Sequence, residues 1–277
     1  MGILIHDCDP TLFCFYRDPD DSLALGFGIR TFTDDPKLMG ITTVFGNAGI
    51  DTTFRTARRI VRVSHRDIPV LRGSPSRYAG GRINDAVRFI IYMAKEYGEI
   101  EILATGPLTN IASALILYPE LQDCVRRILI MGGSLYRRGN IILVNAEFNF
   151  WADPRAAKVV VNTFKNVVIF PLDITMSVRW GRDIPYRLIH KNDRLAKYIG
   201  YGLRPWAIAW GILGGFNPHD TIAAVYLSNP NIYSGKYIRI NITKIGETVE
   251  TATGKRVYVV LNVGKKKLKN TFFGAFS

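Results

Sequence analysis

Asp7 and Asp9, then Asp20 and Asp21, crowd carboxylates near the start of the chain, and His219-Asp220 adds to them from far downstream. Between these lie Gly139-Asn140 and the run Asn145-Ala146-Glu147-Phe148-Asn149. Such residues are poor material for a core, because a buried polar group needs a hydrogen-bond partner and a buried charge needs a counter-charge. They suit a hard cation and a ligand rich in hydroxyls. Carboxylate oxygens favour Ca²⁺ or Mg²⁺, and amides both donate and accept, as a hydroxyl does.

Local setting sharpens this reading. Asp7 and Asp9 close the apolar run Ile3-Leu4-Ile5, a strand by its length and β-branched content. Alternation puts both on one side of the strand, where like charges raise each other's pKa unless a cation lies between them. Asp20-Asp21 precede Ser22-Leu23-Ala24-Leu25-Gly26-Phe27, which reads as the start of a helix. Acids at the end of a strand and at the head of a helix stand where α/β folds build sites. The plainer alternative is that they only cap a turn and a helix.

The elements that must carry these residues alternate. Strands are expected at 2–6, 39–45, 68–71, 100–104, 126–131 and 166–170, with helices near 21–32, 51–64, 83–97, 108–117, 153–163, 193–211 and 219–227. That order implies an α/β fold: one domain over residues 1–277, with a mostly parallel, Rossmann-like sheet covered by helices on both faces. A strand pair near 236–243 and 256–262 finishes it, and the polar interval 247–256 reads as a hairpin or loop. With 277 residues and 48% hydrophobic content, the chain can bury a sizeable core.

In this order the motifs resemble the inosine–uridine-preferring nucleoside hydrolases, which open with D-x-D-P-G-x-D-D after the first strand. Here Asp7-Cys8-Asp9-Pro10 is followed by an apparent insertion, Thr11 to about Arg17, and then Asp18-Pro19-Asp20-Asp21. Val44-Phe45-Gly46-Asn47 is similar to the family's second strand end. Ala104-Thr105-Gly106-Pro107-Leu108-Thr109-Asn110 is similar to the segment whose threonine carbonyl binds calcium, and Met131-Gly132-Gly133, Asn140, Glu147-Phe148-Asn149 and His219-Asp220 follow in family order. The resemblance spans about residues 3 to 262. It implies calcium-dependent hydrolysis of the N-glycosidic bond of a ribonucleoside, a reaction with an oxocarbenium-like sugar.

The resemblance also implies roles. Asp9, Asp21, Asp220 and the Thr105 carbonyl would hold Ca²⁺, with Asp9 also the base and His219 beside the leaving nucleobase. Asp20, Asn47, Asn140, Glu147 and Asn149 would bind the ribose, and Asp7 would orient the loop. It further implies a homo-oligomer, dimer or tetramer. His6, His65 and His190 sit in no comparable setting. Trp206 and Trp210 share one helix face and fit either the core or a base-stacking wall.

Two departures stand out. The insertion carries Phe13, Phe15 and Tyr16, which are expected to be buried over the pocket mouth or in a subunit contact, with Asp20 and Asp21 still returned to the metal. The segment Arg72 to Gly81 is short and lacks the histidine that many relatives carry. Two other readings compete: a non-catalytic ribosyl-binding relative with a disturbed metal loop, and a haloacid-dehalogenase-type phosphatase, since Asp7-Cys8-Asp9-Pro10-Thr11 also fits D-x-D-x-T.

The net charge of +13 comes from scattered arginines and a terminal run at Lys265-Lys266-Lys267. It reads as a solvated surface rather than a nucleic-acid interface. No apolar run approaches the roughly 18 residues of a membrane span, no signal-peptide pattern follows Met1, and Cys8, Cys14 and Cys124 lack metal or disulfide spacing. The expected location is the cytoplasm.

Overall fold

Ile3–Cys8 is buried at every position, as is Ile100–Ala104, the mark of strands covered on both faces of a parallel sheet. In the computed structural model, which describes residues 2–14, 16–77, 81–211 and 214–276, these two pair side by side in parallel. The strands are β1 (Ile3–Cys8), β2 (Lys37–Thr43), β3 (Val70–Arg72), β4 (Ile100–Ala104), β5 (Val125–Met131), β6 (Val167–Phe170), β7 (Tyr233–Ile242), β8 (Thr248–Glu250) and β9 (Lys255–Val263). They form one nine-stranded sheet in the order β3-β2-β1-β4-β5-β6-β9-β7-β8. β1 to β6 run parallel, β9 joins β6 in parallel, and β7 and β8 are antiparallel.

From β1 the chain builds outward to β2 and β3, then returns to β1's other side with β4. The crevice at this reversal, beyond the carboxyl ends of β1 and β4, is where ligands bind in open α/β sheets. Separate apolar cores lie on the two faces. One holds Leu23, Phe27, Phe170, Ile199 and Phe272; the other holds Ile5, Ile90, Ile102, Ile130 and Phe150.

Helix Asp20–Thr31 is buried from Asp20 to Ile29 and packs on His219–Ser228, so the two acid-headed helices of the sequence lie together. Helix Ile50–Ser64 buries Ile50, Thr53, Ala57, Ile60 and Val61 on one stripe. Helix Asp85–Tyr97 starts on Asn84, whose side chain accepts from the Val87 N–H at 2.9 Å.

The alternation of strands and helices holds along the chain, and short elements were the ones missed. The interval 247–256, expected as a hairpin or loop, carries β8, which turns back antiparallel on β7. The terminal lysine run opens a further helix, Lys265–Gly274, anchored by buried Leu268, Phe272 and Phe273. Helices Phe148–Ala152 and Asp183–Ile189 also lay outside the expected set. They are too short for hydrophobic periodicity to declare itself.

Phe150 fills the space beside Gly132 and Gly133, where an added Cβ would fall 2.4 and 3.2 Å from its ring. It is fully buried. Phe150→Ala should therefore destabilise the fold by about 3–5 kcal/mol, read as a shift of the urea midpoint; a shift below about 1 kcal/mol would show that the site collapses around the cavity.

Candidate active site

Asp9 leaves the end of β1 into a space kept clear by glycine. A Cβ on Gly46 would lie 2.0 Å from Asp9 Oδ2, and one on Gly106 would lie 2.8 Å from Oδ1. Oδ2 accepts from the Asn47 N–H at 2.5 Å, while Oδ1 is buried with no hydrogen-bond partner. Helix Asp20–Thr31 brings Asp21 against it, and the Asp9 N–H donates to Asp21 Oδ1 at 3.3 Å. Helix His219–Ser228 adds Asp220, whose N–H donates to Asp20 Oδ2 at 3.2 Å.

Among the described residues, Asp20, Asp21 and Asp220 form one group with carboxylate oxygens within 4.8 Å of one another, all buried. Asp20 thus belongs to the cluster and also lines the pocket above it, and Asp9 borders the cluster. Burial pushes Asp9 and Asp220 well above the usual carboxylate range, and neighbouring aspartates push them further. Asp21 rises to about 7, chiefly by burial and the charge of Asp20. Acids in this state either keep their protons or take a cation. The donors are all oxygens and Asp9 Oδ1 is unsatisfied, which fits a hard cation.

Thr105 ties the cluster to the sheet. Its Oγ1 donates to Asp21 Oδ1 at 2.8 Å and shares a 3.0 Å hydrogen bond with His6 Nε2. With its proton committed to Asp21, Thr105 accepts from an Nε2–H imidazole. Burial lowers the His6 pKa to about 3, so the ring is neutral. His6 was passed over as a histidine in no telling setting; it stands directly behind the acids, and only the pairing of β1 with β4 brings it to Thr105. The Thr105 carbonyl accepts from Asn149 Nδ2 at 3.0 Å.

Asp7 lies behind this shell. Its Oδ1 accepts from Thr42 Oγ1 at 2.5 Å and Asn110 Nδ2 at 2.8 Å, and Asn110 also accepts from the Ser74 N–H at 2.8 Å. The carboxylate therefore ties β1 to β2 and, through Asn110 in helix Thr109–Leu117, to the loop after β3, in keeping with an orienting role.

Above the acids opens a pocket of about 430 Å³. Asp20, Asn47, Thr105, Asn140, Glu147, Asn149, His219 and Asp220 all line it. Asn149 has committed its amide nitrogen to the Thr105 and Met131 carbonyls, so Oδ1 is its atom for a ligand. Glu147 has a structural duty as well: it caps helix Phe148–Ala152 and accepts from the N–H groups of Gly133, Asn149 and Phe150. Burial raises its pKa to about 7 against those donors. His219 Nδ1 shares a 2.7 Å hydrogen bond with Thr175 Oγ1, which fixes the ring; burial lowers its pKa. Thr175 carries no signal in the sequence. Trp206 joins the wall with a buried, unpartnered Nε1, and its ring lies 5.0 Å from that of the more exposed Trp210.

The insertion rims this pocket without closing it. Tyr16 and Asp18 line the mouth, while Tyr16 is 67% and Phe13 52% exposed within the single chain, so the mouth itself does not bury them. Each has a local partner instead: Phe13 meets Tyr198 edge-on at 5.2 Å, and Arg17 sits 5.4 Å over Tyr16. The buried anchor is backbone and aliphatic. Phe13 N–H donates to the Gly202 carbonyl at 3.0 Å, and Leu12 occupies the space where a Gly202 Cβ would be. Asp20 and Asp21 still return to Asp220. Phe15, and Tyr78 to Gly80 of the short loop, lie outside the described residues.

The model of the inosine-uridine preferring nucleoside hydrolase family matches residues 4–270. Uridine nucleosidase 1 of Arabidopsis thaliana is 28% identical, the match covering 84% of this chain and 76% of the relative. A pyrimidine-specific ribonucleoside hydrolase of Shigella sonnei is 29% identical over 82% of this chain and 79% of its own. Among solved structures, a purine-preferring ribonucleoside hydrolase from Gardnerella vaginalis superimposes with a TM-score of 0.86 at 25% identity, over 99% of this chain and 98% of that one. The chain therefore belongs to the inosine-uridine preferring nucleoside hydrolase family and is a ribonucleoside hydrolase.

Proposed function

We propose that this enzyme uses calcium to hydrolyse the N-glycosidic bond of ribonucleosides, releasing the free base and ribose. The observation that carries the reading is the meeting of the Asp20, Asp21 and Asp220 carboxylates, beside Asp9, at the floor of a pocket rimmed by Asn47, Asn140, Glu147 and Asn149. Asp9, Asp21, Asp220 and the Thr105 carbonyl would hold the ion. When bound, such a cation lowers the pKa of water and offers coordination to the sugar's hydroxyls.

The chain's own groups do the rest. Asp9, whose carboxylate has an unpartnered oxygen, takes the proton of the attacking water. Asp20, Asn47, Asn140, Glu147 and Asn149 hold the ribose hydroxyls. His219, kept neutral by burial, gives a hydrogen bond to the departing base, and Trp206 offers its face beside it. Relatives are named for uridine and for purine substrates alike, which suits a site whose polar groups face the sugar. The phosphatase reading falls with the family match, and the non-catalytic one loses its support because the insertion leaves the acids together.

Asp220→Ala should abolish calcium binding and lower turnover by several orders of magnitude in a folded chain. A variant that keeps both bound calcium and activity would sink the ligand assignment. If the amide cluster reads hydroxyls, 2′-deoxynucleosides should be poorer substrates by roughly 10⁴-fold, because the site's polar groups are then left unmatched; equal kcat/KM for adenosine and 2′-deoxyadenosine would contradict it.

Stability should depend on pH in a definite direction. Asp7, Asp21 and Glu147 lie near 7 in the fold against usual values of 3.8, 3.8 and 4.5. A raised group adds stability below its unfolded pKa and loses it as pH rises through the folded one. In chelator, the melting temperature should therefore fall between pH 5 and pH 8, and calcium should flatten or reverse that fall. A chelated protein whose Tm rises over this interval would argue against buried, uncompensated acids.

A further inference from the structure

The acidic pocket at the carboxyl ends of the strands has a basic counterpart at the amino ends. Beside the first residues of β4, β5 and β6, and across β9 and β7, lies a cavity of about 370 Å³ that continues into an open groove of about 790 Å³. The two share Lys165, Asn166, Tyr237 and Arg256. Arg126, Arg127, Lys165, Arg239, Lys255 and Arg256 line them, with Glu101 the lone lining carboxylate among the described residues.

Glu101 is 1% exposed and grips Arg126 on one oxygen and Arg127, at 3.2 Å, on the other. Its charge is used in fixing two guanidinium groups. Glu99 at 3.5 Å from Arg126 and Asp123 at 2.7 Å from Lys165 add exposed rim pairs, which contribute little and are screened. Arg239, Lys255 and Arg256 have no carboxylate partner among the described residues, and Arg127 Nε is buried without a hydrogen-bond partner. The walls are aromatic. Arg256 lies 3.9 Å over the Tyr237 ring, Tyr237 meets Tyr258 edge-on at 5.3 Å, and Tyr226 stands beneath Arg127.

Cations held this way call for an anion, and tyrosine and guanidinium faces accept a planar base. The cavity is of small-ligand size. We propose that this groove is a second ligand site that takes a nucleoside phosphate, its phosphate on Arg127, Lys165 and Arg256 and its base against the tyrosines. It is distinct from the nucleoside pocket: along β5, Arg127 and Met131 are separated by roughly 13 Å at about 3.3 Å per residue. Phosphate is unwelcome in that pocket, which Asp18, Asp20, Glu147 and Asp220 line.

Isothermal titration of the full chain with adenosine 5′-monophosphate tests this independently of the catalytic reading. Saturable binding of one equivalent is expected, weakened at least tenfold by Arg256→Ala and by Lys165→Ala, both exposed positions. Asp220→Ala should bind the nucleotide as the parent does, and inorganic phosphate should bind at least tenfold more weakly. Absence of saturable binding would overturn the site. So would binding that Asp220→Ala removes and Arg256→Ala leaves intact, because that places the nucleotide in the catalytic pocket. Equal affinity for inorganic phosphate would overturn the nucleotide assignment.

Discussion

Asp9, Asp20, Asp21 and Asp220 are buried within reach of one another, and two unit charges about 4 Å apart repel by about 4 kcal/mol at an effective dielectric near 20. The fold supplies some relief, since Asp20 and Asp21 open one helix and Asp220 lies in the first turn of another. A helix N-terminus is worth about 0.3–1 kcal/mol to a carboxylate. That is too little to offset even one such pair. Protons or a cation must make up the difference, and on the proposed reading it is a cation, which leaves Asp9 ionised to act as the base. Much of the surrounding structure is then intelligible as the scaffold that holds like charges together.

That scaffold is rigid for identifiable reasons. β1 lies inside the sheet, paired on both sides, so Asp9 departs from a fixed point. Gly46 and Gly106 let two turns close onto its carboxylate. Helix Asp20–Thr31 is drawn deep by Gly26, where a Cβ would meet Ile199 at 2.2 Å. Behind the acids, neutral His6 supports Thr105, and Asp7 with Asn110 joins the ends of β1 and β2 to the loop after β3. A polar network with most of its members satisfied specifies one arrangement more sharply than apolar packing does.

The acids, the amides and His219-Asp220 were legible because their chemistry is out of place in a core and their order follows a family pattern. The alternation of strands and helices was legible from periodicity. What stayed hidden was relational. Nothing local marks His6 or Thr175, whose meaning arises when β4 pairs with β1 and when the short helix Leu172–Thr175 after β6 meets helix His219–Ser228. Aromatic content argued for burial of the insertion, whereas within the single chain Phe13 and Tyr16 stay exposed beside half-buried partners, Tyr198 and Arg17. Helix Lys265–Gly274 went unmarked, since three buried apolar side chains in ten residues give little periodic signal. Glu147 was read for its carboxylate and not for the helix it begins.

Charge is also distributed to a purpose that the total of +13 conceals. The carboxyl ends of the strands gather acids and the amino ends gather arginines, so the two openings of one sheet present opposite fields. A neutral nucleoside feels neither strongly, and its entry to the catalytic pocket rests on shape and hydrogen bonds. A phosphorylated nucleoside is drawn to the molecule by its net charge but turned away from the acids by the same law. Cation binding at the pocket floor would soften that rejection, and burial raises Asp18 and Glu147 toward their neutral forms, so the lining acids repel phosphate most strongly above neutral pH. On the proposed reading, then, the cluster that activates water also helps to restrict the enzyme to nucleosides, and substrate choice follows in part from the charge that catalysis requires.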